Sequence, residues 1–387
     1  MQLEQTDVVV VGGGIAGLAT AFALRVRGFD VVLLEQRFLA FGASGRSLGA
    51  IWAQDIRTEQ GRDDLEATHA LFEKLSASHG LRADYERTGG IQYALTADDV
   101  ERLEAQVAVQ QSLGVRIEMV SGPQARRTSP FVPETALAAA ECADDGRVNL
   151  ASLVRGLGAL CAEMGVRTYE NTPVLGIIRY GHEVAGVSTV RGDVRASATV
   201  WAAGPWVQQL EGDGISIPME PVRVGMVQTQ PTSPISRRIV RGPVTLAEDS
   251  GYNTGVRFDE TFVQTAEGRV VIGSTYDFAS SLNPHITADA AAELVTTLQN
   301  RQPQLGSLGV TGLWAGLVGM TPDRLPVIDK VSGLYLNVGH VHGARTGLIS
   351  GEHVAAMIAG ERAVEDLARF AADRPTLTAI ADKLGRG

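Results

Sequence analysis

Short apolar runs separated by glycine and polar residues open the chain and predict its first three elements. The four valines at positions 8–11 form a continuous apolar run, which is typical of a strand buried on both faces of a parallel sheet. A glycine turn follows, and the next residues predict a helix from about Ile15 to Arg27, which Gly28 ends. Residues 31–34 are apolar again and predict a second strand. The chain therefore begins with a β-α-β unit.

Helical and strand patterns alternate through the rest of the chain, without an internal repeat. The last strand, turn and helix resemble the first, so we expect both in one parallel sheet. The predicted fold class is α/β: a discontinuous Rossmann-like domain with an inserted β-rich α+β domain. The first domain is predicted over 1–85, 140–215 and 320–370, the inserted domain over 86–139 and 216–319, and a tail over 371–387. Helices are predicted near 63–76, 97–113, 150–164, 288–299 and 346–359, and strands within 166–201, 221–273 and 334–338.

Composition and charge argue against nucleic-acid binding, a metal site and a membrane span. The net charge of −10 argues against a nucleic-acid partner, because phosphate binding needs a basic face. Cys142 and Cys161 lack CxxC spacing, and no set of ligands has metal-site spacing, so no metal is predicted. The apolar stretch 8–24 contains four glycines and has no basic leading segment, so we expect no membrane span and a cytoplasmic location.

The first turn has the spacing of a dinucleotide-binding fingerprint, with glycines at 12, 14 and 17. Gly12 permits the tight turn, Gly14 allows a pyrophosphate to approach the backbone, and Gly17 allows the helix to pack against the strand. The N-terminus of the helix then offers N–H groups and a positive dipole end to the phosphates. Glu35 lies 18 residues beyond Gly17, where a carboxylate can bind the ribose hydroxyls and would repel the extra phosphate of NADP.

Two later segments favour FAD over NAD. Residues 200–206 read VWAAGPW, an apolar strand that ends in small residues and lets a backbone approach a large flat group. The turn at 339–343 precedes a second helix, whose N-terminus can stabilise negative charge on a reduced flavin ring. An ordinary NAD domain has no use for that second anion site. The sequence therefore predicts a flavoprotein.

These motifs, in this order, resemble the D-amino acid oxidase superfamily, in the branch of glycine oxidase and monomeric sarcosine oxidase. The resemblance covers nearly the whole chain. Its further marks are GASGRS at 42–47, DGRV at 145–148, GRVVIG at 268–273, WAGL at 314–317, TPD at 321–323 and the stretch 339–351.

The resemblance implies that FAD is bound, and that it is bound non-covalently. Sarcosine oxidases attach the flavin through a cysteine, and Gly316 takes that position here. Carried over position by position, the family's cofactor-binding residues are Gly12, Gly14, Ile15, Ala16, Gly17, Glu35, Gln36, Ala43, Ser44, Arg46, Ser47, Val174, Ala203, Gly204, Gly316, Gly343, Ala344, Arg345 and Thr346.

The substrate carboxylate needs a different partner from the one that many relatives use. Family members that act on free amino acids often have an arginine where this chain has Val318. The resemblance aligns Arg345 with a carboxylate-binding lysine of sarcosine oxidase and Arg57 with an arginine of the same site. A guanidinium binds a carboxylate in bidentate fashion, so both are candidates, although a lone arginine is often a surface residue. Arg223 is expected on a solvated strand face.

His340 and His342 share the turn that should end at the flavin. Either could hydrogen-bond the substrate or act as a base, or be a turn histidine satisfied by the backbone.

The predicted reaction is hydride transfer from the Cα of a small amine or amino acid to flavin N5, which leaves an imine. Oxygen or another acceptor would reoxidise the flavin; the lysine that sarcosine oxidase uses for oxygen activation is absent from the VVIG segment at 270–273. Two alternatives stay open. The substrate could lack an α-carboxylate, or the chain could be an FAD-bearing subunit that relays electrons within a hetero-oligomeric dehydrogenase.

Overall fold

Eighteen strands and eight α-helices are found in the part of the chain that the structure, a computed structural model, describes: residues 2–243, 256–278 and 281–383. Residues 244–255, which belong to the region 221–273 where strands were predicted, lie outside the described residues. The strands are β1 Gln2–Val11, β2 Val31–Leu34, β3 Ala50–Ile51, β4 Gly90–Ala94, β5 Ile117–Ser121, β6 Ala138–Cys142, β7 Gly146–Arg147, β8 Arg167–Tyr169, β9 Val174–Tyr180, β10 Glu183–Thr189, β11 Gly192–Trp201, β12 Glu220–Thr229, β13 Ile239–Arg241, β14 Val256–Gln264, β15 Val270–Asp277, β16 Val310–Met320, β17 Val327–Val331 and β18 Leu334–Val338.

The α-helices are α1 Ile15–Val26, α2 Glu59–His79, α3 Ala97–Ser112, α4 Gly122–Thr128, α5 Leu150–Glu163, α6 Ala288–Arg301, α7 Gly343–Ile358 and α8 Pro375–Lys383. Short 3-10 helices span Ala43–Arg46, Gly204–Asp213, Pro303–Leu305 and Val364–Phe370.

The first and last predicted strands lie in one sheet, as expected. Its order is β17-β18-β11-β1-β2-β8, with β10 and β9 continuing from β11. The pairs β18–β11, β11–β1, β1–β2 and β2–β8 are parallel. In β1, Val8 and Val10 pack into one core and Val9 and Val11 into another, so both faces are covered. This double burial explains why the sequence of β1 is continuously apolar rather than alternating.

A second, mainly antiparallel sheet has the order β16-β12-β15-β14-β13-β4-β6-β5. It is built from the middle of the chain, which confirms the predicted α/β class with a β-rich insertion. The predicted boundary at 139/140 falls inside β6, which pairs with β4 through Cys142. We propose that the boundary lies after Cys142; the other boundaries stay predictions.

Helices α1 and α7 pack closely, because glycines on α7 face α1. A Cβ on Gly351 would lie 2.4 Å from the backbone carbon of Ala19, and one on Gly347 would lie 2.6 Å from Ile15 Cγ2. Both helices begin at the carboxyl ends of strands in the first sheet. Their N-termini are therefore held at the same edge of that sheet.

One expectation about a single residue was wrong, while the predicted C-terminal tail contains helix α8. Arg223 is not on a solvated face: it is 6% exposed, and its Nη1 lies 2.5 Å from Asp277. The predicted tail is anchored, because Arg374 donates two hydrogen bonds to Asp323 and Leu377 is fully buried in the core beside the first sheet. Residues 384–387 lie outside the described part of the chain.

Candidate functional site

A cavity connects the glycine turn after β1 with strands β12, β15 and β16 of the second sheet. The first 3-10 helix, the segment 202–206 and the start of α7 also border it. It therefore lies where the dinucleotide-binding turn and the second sheet meet. Sequence-predicted residues that line it are Gly12, Gly14, Ile15, Ala16, Glu35, Gln36, Ala43, Ser44, Arg46, Ser47, Val174, Ala203, Gly204, Gly316, His340, His342, Gly343 and Ala344.

The glycine turn has the close approaches that its sequence predicts. Gly12 has φ +114°, and a Cβ there would lie 2.4 Å from the carbonyl oxygen of Ala202. Gly17 is not among the lining residues: a Cβ there would lie 1.9 Å from the carbonyl oxygen of Gly12, so its role is helix packing. Ile15 donates its N–H to Ser44 Oγ at 3.1 Å. This bond joins the turn to the first 3-10 helix, Ala43–Arg46, which also borders the cavity.

Glu35 is oriented by backbone donors at the end of β2. Its Oε2 accepts from the N–H of Gly13 and its Oε1 from the N–H of Arg37, each at 2.8 Å. Burial raises the pKa of Glu35, while these backbone bonds oppose the shift. A carboxylate oxygen accepts more than one hydrogen bond, so both oxygens retain capacity for the hydroxyls of a ribose.

The start of α7 presents a second set of N–H groups to the cavity, from Gly343 and Ala344. Helix N-termini leave their first N–H groups without an intrahelical acceptor. The N–H groups of Arg345 and Thr346 both donate to the carbonyl of His342, at 2.9 and 3.0 Å. Of the predicted group 343–346, the first two therefore face the cavity and the last two close the first turn.

Gly316 lies against the first 3-10 helix, Ala43–Arg46, and also lines the cavity. A Cβ at this position would lie 3.0 Å from Arg46 Cβ and 3.5 Å from Ala43 Cα. Trp314, on the same strand, donates its Nε1–H to the carbonyl of Arg46 at 3.0 Å. β16 and the 3-10 helix are therefore in close contact here, and the residue at 316 is small because of that contact.

The two turn histidines have different surroundings. His340 Nδ1 lies 2.9 Å from Thr346 Oγ1, and its Nε2 lies 2.9 Å from Asn337 Oδ1. Since Asn337 Nδ2 donates to Ala16, its Oδ1 is the acceptor and His340 carries its proton on Nε2. Burial lowers the pKa of His340 to about 4. His340 is thus a satisfied turn histidine, with side-chain rather than backbone partners.

His342 has one acidic neighbour, Asp55, whose Oδ2 lies 3.5 Å from its Nε2. Burial lowers the pKa of His342 to about 4, although the negative charge of Asp55 opposes the shift. The ring is therefore neutral near pH 7. A neutral imidazole keeps one nitrogen lone pair, so His342 is able to accept a hydrogen bond within the cavity, while its low pKa makes it a weak base.

The two arginines predicted to grip a substrate carboxylate do not line the cavity. Arg345 donates from Nη1 to the carbonyl of Trp52 at 2.8 Å. Arg57 is exposed. Val318 does line the cavity, so β16 contributes an apolar side chain where many relatives have a cation.

Sequence reasoning missed Arg241, the last residue of β13, which lines the cavity and is 8% exposed. Its Nη2 and Nη1 lie 3.0 and 3.2 Å from the two carboxylate oxygens of Asp55. Its Nη2 also donates to Gln92 Oε1 at 2.7 Å, and the guanidinium lies over the ring of Trp52, 4.8 Å from the centroid. The available signal was a charged residue that ends a short apolar run.

Asp145, from the DGRV motif, holds the backbone next to the pair formed by Arg241 and Asp55. It is fully buried, and its oxygens accept from the N–H of Ala53 at 2.6 Å and from Gln54 Nε2 at 2.5 Å. Burial raises the pKa of Asp145 from 3.8 to about 7. Its bonds fix the segment that carries both Trp52 and Asp55.

The residues around the cavity fit FAD. Two helix N-termini offer N–H donors to a pyrophosphate and to an electron-rich ring edge. Glu35 offers a carboxylate to a ribose diol, and Ala203 and Gly204 leave room for a flat ring beside the backbone. In the described ranges, no group of three or more His, Cys, Asp or Glu side chains has the geometry of a metal site.

Comparison with known proteins agrees with this geometry. A family model for FAD dependent oxidoreductases, DAO, matches residues 7–357. Glycine oxidase of Geobacillus kaustophilus is 26% identical over 380 residues, covering 95% of this chain and 97% of that protein. The hydrogen cyanide synthase subunit HcnC of Pseudomonas aeruginosa is 26% identical over 428 residues, covering 97% and 98%.

The fold is shared with a solved structure. The crystal structure of glycine oxidase from Geobacillus kaustophilus matches with a TM-score of 0.85 and 24% identity, over 96% of this chain and 99% of that chain. None of the helices in the described ranges is both long and apolar enough to cross a membrane.

Proposed function

The chain belongs to this family of FAD-dependent oxidoreductases, and we propose that it oxidises the carbon–nitrogen bond of a small amine or amino acid. When bound, FAD supplies the acceptor for the hydride that leaves the substrate carbon. The protein has to hold the substrate next to that acceptor, exclude water and keep the amine unprotonated. The residues of the second sheet are suited to these tasks.

The observation that carries the proposal is the set of apolar side chains that the second sheet contributes to the cavity wall. Val224, Met226, Leu317 and Val318 line this part of the cavity. An apolar surrounding disfavours the charged form of an amine and lowers its pKa. A neutral amine keeps its lone pair, which assists departure of the hydride from the adjacent carbon.

His342, from the turn before α7, and Tyr276, from the second sheet, add polar groups to the cavity without adding charge. His342 is neutral near pH 7, and Asp55 favours the tautomer with the proton on Nε2. Its Nδ1 then carries the lone pair and is able to accept a hydrogen bond from the N–H of a neutral substrate amine. Burial raises the pKa of Tyr276, which keeps its phenol protonated and able to donate a hydrogen bond.

Anaerobic reduction of the bound flavin tests the proposal directly. The purified protein is mixed, without oxygen, with a panel of amino acids, N-methyl amino acids and amines, and the visible absorbance of the flavin is followed. We expect at least one compound with a CH–N bond to bleach it. If dithionite bleaches the flavin and no compound of the panel does so, the proposed reaction is wrong.

A second candidate function is that of an FAD-bearing subunit in a hetero-oligomeric dehydrogenase. It is favoured by the likeness to HcnC, which is named as a subunit of hydrogen cyanide synthase and is covered over 98% of its length. An isolated chain that turns over substrate with an artificial electron acceptor, but not with oxygen, supports this candidate. Turnover with oxygen alone supports an oxidase instead.

A further inference from the structure

We propose that Arg241 determines the substrate specificity of this reaction, by binding the carboxylate of an amino-acid substrate from β13. The inference rests on the proposed function. It assigns the carboxylate contact to a strand different from β16, on which Val318 stands, and to a residue different from Arg345 and Arg57.

The position of Arg241 in the cavity supports this assignment. Arg241 and Val318 line the same cavity, but they stand on β13 and β16, which are separated in the sheet by β12, β15 and β14. Among the described residues, Arg46 is the other cation in the lining. Arg46 belongs to the 3-10 helix and lies over the ring of Phe41, 4.9 Å from the centroid. Of these two, Arg241 is therefore the cation on the wall formed by the second sheet.

The guanidinium of Arg241 is held before any ligand arrives. Trp52 supports one of its faces, Asp55 holds both Nη atoms, and Gln92 accepts from Nη2. A flexible arginine loses rotamer entropy when it binds a ligand, and these contacts have already removed that freedom. An arginine fixed in this way is suited to discriminate between ligands by position.

Two N–H groups of Arg241 are not used by its contacts with the protein. A guanidinium has five N–H groups, and the contacts with Asp55 and Gln92 use three of them. Among the described residues Nε has no hydrogen-bond partner, but it is fully buried and does not face the cavity. The second N–H of Nη1 is therefore the donor left for a ligand. A carboxylate oxygen in the cavity is an acceptor of the required kind.

The pairing with Asp55 also limits how strongly a carboxylate is bound. Asp55 occupies the end of the guanidinium that would otherwise form a bidentate contact, and its charge offsets that of Arg241. A substrate carboxylate is therefore bound by single hydrogen bonds. We expect moderate affinity for carboxylates and strict dependence on the position of the acid group relative to the amine.

Binding of acetate and of its neutral analogue acetamide tests the proposal without any turnover. Each is titrated into the FAD-loaded protein, and the change in the visible flavin spectrum gives a dissociation constant. Arg241→Met should weaken acetate binding at least tenfold and change acetamide binding less than threefold. Arg241→Lys should recover part of the acetate affinity. Arg237→Met removes an arginine whose side chain is 81% exposed and serves as the matched control.

Removal of Arg241 alone leaves the partly buried Asp55 without its arginine partner, which would destabilise the protein. The double variant Asp55→Asn/Arg241→Met removes both charges and should show the same loss of acetate affinity. Acetate binding within threefold of wild type in either variant would overturn the proposal, as would an equal loss for acetate and acetamide. A protein that passes this test, yet whose flavin no amine reduces, would separate a failure of the proposed reaction from a failure of this inference.

Discussion

Arg345 donates a hydrogen bond from Nη1 to the carbonyl oxygen of Trp52, at 2.8 Å, and thereby joins the first turn of α7 to the segment beneath Arg241. Thr68, on α2, donates from Oγ1 to the carbonyl of Arg345 at 2.8 Å, so the residue is held on both its side chain and its backbone. In this structure Arg345 therefore holds the segment that carries Trp52, although the resemblance aligns it with a carboxylate-binding lysine.

We expect Arg345→Met to weaken catalysis only moderately. The variant loses one hydrogen bond to a backbone carbonyl, worth about 0.5–1.5 kcal/mol, or roughly 2- to 12-fold in kcat/KM on an acidic substrate. Flavin should stay bound, because Gly343 and Ala344 provide the N–H groups at the cavity. Steady-state kinetics with flavin content checks this. A loss of about 100-fold or more would restore Arg345 as a direct contact with the substrate.

Glu35→Gln should weaken FAD binding. The amide keeps one acceptor oxygen, but it loses the charge-assisted bonds to the ribose and one of the two backbone bonds that orient the side chain. Loss of a hydrogen bond to a charged group costs about 1.5–3 kcal/mol, or roughly 10- to 150-fold in the dissociation constant. Dialysis followed by measurement of retained flavin decides the matter, and full retention would remove Glu35 from the ribose site.

The flavin should be released when the protein is denatured. The resemblance aligns Gly316 with the attaching cysteine of sarcosine oxidases, and a glycine has no side chain with which to form a bond to the ring. Acid precipitation and centrifugation should leave the yellow colour in the supernatant. Flavin that stays in the washed pellet would show covalent attachment at another residue.

Gly351→Ala should destabilise the protein. The added Cβ would meet the backbone of Ala19 and Thr20 at 2.4 and 2.6 Å, so α1 and α7 would have to separate. Overpacking of this kind costs about 1–3 kcal/mol, which exceeds the gain in helix propensity of up to about 1 kcal/mol. Thermal unfolding of the FAD-loaded protein measures it. Gly212→Ala is the control, since a Cβ there meets nothing within 4 Å; equal melting temperatures for both variants would contradict the packing argument.

Asp145→Asn should change how stability depends on pH. The native state raises the pKa of Asp145 from 3.8 to about 7, so it binds this proton more tightly than the unfolded chain does. Stability from this group is therefore present below about pH 4 and is lost as the pH rises to about 7. The melting temperature of wild type minus that of the variant should fall over this interval, by on the order of 3–5 °C.

The structure around Asp145 suggests that the variant will fold. Gln54 Oε1 is buried and has no partner within the described residues, while its Nε2 faces the carboxylate. If the side-chain amide of Gln54 flips, its oxygen faces residue 145. That oxygen is then able to accept a hydrogen bond from the amide of the Asp145→Asn variant, or from a protonated Asp145. A difference in melting temperature that stays constant from pH 4 to pH 7 would show that Asp145 does not titrate there.

The parts of the fold that were predicted correctly depend on local patterns. The continuous apolar runs of β1 and β2 reflect burial on both faces, and the glycine turn between them requires a backbone that accepts φ +114°. Such requirements are written into a few consecutive residues. The parallel placement of β18 followed from the same pattern at the other end of the chain.

The substrate side of the site could not be predicted in this way. Arg241 reaches the cavity because β13 pairs with β4 and β14, and its partner Asp55 lies 186 residues away in sequence. Nothing near Arg241 indicates that pairing. The side-chain direction of Arg345 is likewise set by the carbonyl of Trp52, which lies 293 residues away.

The contact of Gly347 and Gly351 with α1 has a consequence for how the protein acquires its cofactor. Because the two helices touch almost backbone to backbone, we expect the amide groups at their N-termini to keep a fixed spacing before a ligand binds. Reconstitution of the apoprotein should then follow simple second-order kinetics, with a rate proportional to the concentration of free FAD. A slow phase whose rate does not depend on the FAD concentration would mean that the two helix N-termini have to rearrange when FAD binds.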